Sequence, residues 1–139
     1  MHSPGTRLVS IVGVGLEWVD AGRFGRVEER FGARLRSRVF TELEQGYADR
    51  FTNPGRHAQA LAVRFAAKVA ARRALWRAHA RDVGWRDIEV VRGPGGRPGL
   101  VFHGPAERAA RRLGVSGVSV TLTHDGEQCI GQVILEGSG

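Results

Sequence analysis

The chain has 139 residues, enough for one domain around a single hydrophobic core, expected to span 1–139. It is 42% hydrophobic and 25% charged, as in an ordinary globular protein, and no apolar run approaches the ~18 residues that read as a membrane span. Twenty arginines and one lysine against 14 acids leave a net charge of +7, which favours polyanionic partners such as nucleic acid, an acidic protein or a phosphate-rich small molecule.

The opening "MHSPGTRLVSIVGVGL" lacks a charged stretch followed by a long apolar run and a cleavage site, so no signal peptide is expected. One cysteine, Cys129, excludes an internal disulfide; it reads as a buried, inert thiol in a reducing cytoplasm. Leu8 to Leu16 is apolar and β-branched with interrupting glycines, the pattern of a buried strand, and Glu17 follows at its end. From Val19 to Leu35, Phe24, Val27, Phe31 and Leu35 recur at helical spacing beside Arg23, Arg26, Arg30 and Arg34. That is an amphipathic helix with a basic face.

"TELE" (Thr41 to Glu44) is a capping-box pattern and opens a short helix that stops before "NPG". The longest helical signal runs from His57 to Ala80, with Leu61, Phe65, Val69 and Trp76 near one stripe. "DIEVVR" and "RPGLVFH" flank "GPGG" as a hairpin, and "PAERAARRLG" is a short helix with Pro105 in its first turn. "VSVTLTH" and "QCIGQVILE" form a second hairpin across "DGE". The order β-α-α-α-β-β-α-β-β predicts an α+β fold with a mostly antiparallel sheet.

Three groups of residues invite chemistry. Arg64, Lys68 and Arg72 stack at four-residue spacing with Arg73 beside them; like charges so placed repel unless an anion or an acid lies over them, or the face is solvated. Glu17 at a strand end suits a metal, a base or a surface cap. His124, at a turn in "TLTHDG", suits a ligand contact or plain solvation. The other histidines lack metal-ligand spacing. "GVGLEW" lacks the third glycine of a dinucleotide fingerprint, and "GPGGRPG" reads as a turn.

Five blocks in order, "VGVGLEWVD", "RVFTELEQGY", "RFAAKVA", "DIEVVRGPGGRPGLVF" and "VTLTHDGEQCIGQVILE", resemble holo-[acyl-carrier-protein] synthases, the small phosphopantetheinyl transferases. The resemblance covers nearly the whole chain. It implies an α+β protomer with a long packed helix, assembled as a homotrimer with coenzyme A between subunits. It also implies Mg2+ on the coenzyme A pyrophosphate and an acyl carrier protein as acceptor. By position, Glu17 falls at a metal-binding aspartate, and Val69 stands where the motif has a second metal carboxylate. Lys68 matches the motif lysine, and Arg73 replaces a further lysine that serves the phosphate or the proton transfer. These imply catalytic roles for Glu17, Lys68, Arg73 and His124, and metal binding by Glu17. Coenzyme A contacts are implied for Arg64, Lys68, Arg97, Pro98, Thr123 and His124, and carrier docking for Arg23, Arg26, Arg30 and Arg34.

The departures cluster at the chemistry. Glu17 keeps the charge with an added methylene, Val69 offers no oxygen, and Arg73 cannot release a proton near neutral pH. Mg2+ demands near-octahedral oxygen coordination, and misplacing the pyrophosphate can cost about 10²-fold in rate. Two expectations therefore stand: a phosphopantetheinyl transferase with a weakened metal site, or a paralogue that keeps carrier and coenzyme A binding with lost or altered chemistry. No motif supports a nucleic-acid partner or a membrane anchor.

Overall fold

The computed structural model describes residues 9–137; Leu8, expected in the first strand, lies outside the described residues. The elements follow the expected order: β1 (Ser10–Asp20), α1 (Ala21–Val39), α2 (Glu42–Ala48), α3 (Pro54–Ala74), β2 (Ile88–Arg92), β3 (Pro98–Phe102), α4 (Gly104–Arg112), β4 (Val115–Asp125) and β5 (Gln128–Gly137). All pairings are antiparallel. One sheet runs β1-β5-β4, and β2 and β3 form a separate hairpin.

Local chemistry fixes the helix starts. The Asp20 carboxylate accepts from the Arg23 amide, Asn53 caps α3 ahead of Pro54, and the Thr41/Glu44 capping box forms as expected. Two boundaries differ from the sequence expectation. Val19 belongs to β1, because the ladder with β5 continues to Asp20, so Glu17 lies inside the strand rather than past its end. The long helix ends at Ala74, and Trp76 sits beyond it in an exposed single turn of 3-10 helix.

The helix α1 continues beyond Leu35, with a kink at Gly32 (φ 60°, ψ −143°). Only part of its expected apolar stripe is buried. Phe24 and Leu35 pack against the cluster of Val39, Phe40, Ala48, Ala60 and Leu61, whereas Val27 and Phe31 are exposed.

The first strand is not buried on both faces. Gly13 and Gly15 face inward, while Val14, Leu16 and Trp18 are half or more exposed on the outer face. An apolar run reads as a fully buried strand because periodicity is invisible when one face is glycine and the other is apolar.

The inward glycines let α3 lie directly on the sheet. A Cβ on Gly15 would sit 1.7 Å from the Ala70 carbonyl oxygen, and one on Gly13 would sit 2.0 Å from that of Ala74. The helix answers with alanine at 60, 62, 66, 67, 70, 71 and 74, all buried. Gly15→Ala must therefore push backbone from backbone. Overpacking typically costs 1–3 kcal/mol, and here we expect about 3 kcal/mol or more in urea unfolding. A loss below ~1 kcal/mol would contradict the close contact.

Candidate active site

Lys68 is fully buried, and each of its three ammonium protons has an acceptor. Nζ lies 2.7 Å from Glu44 Oε1 and donates to the carbonyls of Trp85 at 2.9 Å and Ile88 at 2.5 Å. Glu44, also buried, accepts from the Thr41 amide on Oε1 and from the Val90 amide on Oε2. Burial pushes the Lys68 ammonium below the ordinary lysine range, and the adjacent Glu44 carboxylate opposes that shift. This pair joins α2, α3, β2 and the segment before β2. The sequence resemblance implied a catalytic and coenzyme A-binding role for Lys68; in this structure its three donors face acceptors inside the core.

The same observation resolves the basic stripe. An acid does lie over it, and aromatic rings complete the cover. The Arg64 guanidinium sits 3.9 Å from the Tyr47 ring centroid and that of Arg72 4.4 Å from the Trp85 ring. The stripe is neither a solvated face nor an open phosphate rail.

Arg64 nevertheless borders open space. It donates from Nη1 to the Ala60 carbonyl, while its buried Nε has no partner among the described residues. Burial lowers its pKa, against a raising contribution from Tyr47. A cavity of about 250 Å3 brings Arg64 together with Tyr47, Arg92, Pro98 and His124. A neighbouring cavity of about 480 Å3 adds Arg50 and the apolar Leu43. The His124 ring is steadied by Gln59, whose Nε2 lies 3.1 Å from Nδ1 and 3.1 Å from the Gly126 carbonyl. Three arginines around a tyrosine, next to a histidine, suit a phosphorylated ligand with an aromatic base.

The remaining expected contacts are dispersed within this chain. Arg97 is exposed on the β2–β3 turn. Thr123 pairs across Ile130, which also pairs with Trp18, so it lies on the outer sheet face, whereas His124 pairs with the buried Cys129 and lies on the inner one.

Glu17 and Arg73 meet from β1 and α3. Arg73 Nη1 is 3.3 Å from Glu17 Oε1 and donates to the Leu16 carbonyl at 2.6 Å. The Trp18 amide donates to the same Oε1 at 2.9 Å. Val69 is one helical turn before Arg73 and shares its face. Among the described residues, no group of three or more His, Cys, Asp or Glu side chains is placed to hold a metal. The donor set does not fit Mg2+: one carboxylate, with one oxygen already facing a guanidinium and an amide, and a valine at the second position.

Sequence reasoning missed Tyr47, Arg92 and Gln59, and saw Glu44 only as a helix cap. The Thr-x-x-Glu pattern marked Glu44, but nothing local shows that it also receives Lys68, 24 positions later in the chain.

The profile of the 4′-phosphopantetheinyl transferase superfamily matches residues 13–131. The chain belongs to that superfamily. It is 45% identical over 136 residues to a holo-[acyl-carrier-protein] synthase of Anaeromyxobacter dehalogenans, covering 93% of this chain and 98% of that one. Among solved structures, the holo-ACP synthase of Plasmodium yoelii superposes with a TM-score of 0.82 at 20% identity, covering 96% and 100% of the two chains, a likeness of fold. That of Bacillus anthracis, determined in complex with CoA (3′,5′-ADP), gives 0.66 at 25% identity over 92% and 98%. The likeness to these proteins extends over at least nine-tenths of this chain.

Breaking the buried pair tests its structural role. Lys68→Met is expected to cost about 3–5 kcal/mol, as for other buried pairs broken on one side. The Lys68→Met/Glu44→Gln double variant should lose less than the two singles summed. Denaturant unfolding that finds Lys68→Met within ~1 kcal/mol of the parent would contradict a core role.

Proposed function

We propose that this protein transfers 4′-phosphopantetheine from coenzyme A to a serine hydroxyl of an apo acyl carrier protein. The carrying observation is the near-full-length 45% identity to a holo-[acyl-carrier-protein] synthase. The arginine-rich cavity holding Arg64, Pro98 and His124 supports the same reading. In the reaction the serine oxygen bonds to the β-phosphorus, the P–O bond to the departing 3′,5′-ADP breaks, and the hydroxyl proton is released. Such chemistry depends on positioning and charge stabilisation more than on covalent groups. Fatty-acid and polyketide carriers are both compatible acceptors.

The carrier reads as docking on α1. Arg23, Arg26, Arg30 and Arg34 are exposed there, and Val27 and Phe31 are exposed among them. A basic helix face with apolar anchors suits the acidic, amphipathic surface of a carrier protein. The outer face of β1-β5-β4 supports the homotrimer, because Val14, Leu16 and Trp18 form an apolar row on it. In a trimer Thr123, on that same face, would serve a cleft shared with a neighbouring subunit. Among the described residues no helix is long and apolar enough to cross a membrane. The reading puts the protein in the cytoplasm, where its one cysteine suits a reducing compartment.

Val69 favours a second reading, a paralogue that binds carrier and coenzyme A with lost or altered chemistry. Incubation with apo carrier protein and coenzyme A, followed by mass spectrometry, separates the two. A phosphopantetheine adduct is expected, and coenzyme A binding without an adduct would select the paralogue. Arg30→Glu should weaken carrier association about tenfold or more at low salt with the fold intact; unchanged affinity in a titration would remove α1 from the interface. Native mass spectrometry should find a trimer that Trp18→Glu dissociates, and a monomeric parent would contradict the assembly.

A further inference from the structure

The Glu17–Arg73 contact carries more than a surface ion pair. It sits where the sequence resemblance implies a metal, and its geometry opposes one. Glu17 Oε1 accepts from the Trp18 amide and forms an ion pair with Arg73 Nη1 at 3.3 Å. A divalent cation on that oxygen would displace both and lie against a permanent positive charge. The Leu16 carbonyl is also taken by Arg73 at 2.6 Å. One turn back on the same helix face, Val69 supplies methyl groups in place of a ligand oxygen.

We propose that Arg73, anchored by Glu17 and the Leu16 carbonyl, takes the place of a divalent cation in this protein and holds the coenzyme A pyrophosphate without metal. This assignment rests on the transferase reading and names how its phosphate site is charged. The guanidinium has five N–H donors, and its contacts to Glu17 and Leu16 are both made through Nη1. The side chain remains half-exposed, so Nη2 and Nε can present a planar fork to phosphate oxygens. Glu17 then serves as a positioning residue that aims the guanidinium, and not as a metal ligand. Arginine suits this use better than lysine, because its fork pairs with a carboxylate on one side and a phosphate on the other.

Isothermal titration of coenzyme A into the intact protein, in EDTA and in millimolar MgCl2, reads the proposal directly. The parent should bind within about twofold of the same Kd in both buffers. Arg73→Ala should bind at least tenfold more weakly in both, with an unchanged circular dichroism spectrum, and Arg73→Lys should recover only part of the loss. Mn2+ alone, followed by its paramagnetic resonance signal, should show no site tighter than millimolar in the parent, whereas Val69→Glu/Arg73→Lys should create one. Parent binding that falls tenfold or more in EDTA, or Arg73→Ala binding like the parent, would overturn the assignment while leaving the transferase reading standing. Absence of coenzyme A binding in both buffers would remove both.

Discussion

The contact between the α3 backbone and the glycines of β1 fixes the rest of the molecule. Helices usually rest on sheets through their side chains rather than backbone to backbone. Here Gly13 and Gly15 bring strand and helix together at the carbonyls of Ala74 and Ala70. So short a distance leaves no space for an intervening side chain. It also lets one arginine on α3 reach the main chain of β1 and a carboxylate on the same strand. The register of the helix on the strand thus decides which side chains meet: Glu17 and Arg73 at one place, with Val69 on the same helix face.

Two kinds of charge lie along α3, and burial separates them. Lys68 points into the core, where a carboxylate and two carbonyls use all its donors, so its charge holds four chain segments together. Arg73 points out of the core and stays half-exposed beside Glu17. Arg64 is intermediate: buried against Tyr47, it still borders the cavities with His124 and Arg92. The sole lysine of the chain is thus enclosed by acceptors, while several arginines border open space. A compact ammonium suits a closed three-acceptor cage, while planar guanidinium groups suit stacking and forked phosphate contacts.

Much of this was legible in the chain. Element order, both hairpins and the caps follow from local turn and capping chemistry, which short-range sequence records. The membership of the family was also legible, through ordered blocks. Contacts across long separations were not. Arg73 and Glu17 lie 56 positions apart, and no periodicity links them. Apolar residues on β1 looked like core because their alternation with glycine does not say which face is covered. Val27 and Phe31 continued a helical stripe in sequence yet stay exposed, since the cluster beneath α1 is filled by Phe24 and Leu35. Val69 is the reverse case: by periodicity it is an ordinary apolar position, and the sequence resemblance alone marks it as the place of a missing carboxylate.

The central claim is that a guanidinium, and no metal, faces the pyrophosphate. A crystal structure with coenzyme A, grown in Mn2+ and measured at the manganese absorption edge, tests it most directly. Arg73 is expected to hydrogen-bond to pyrophosphate oxygens with Glu17 still holding it, and no anomalous peak is expected between them. A manganese peak coordinated by Glu17 and the pyrophosphate, with Arg73 turned away, would contradict it.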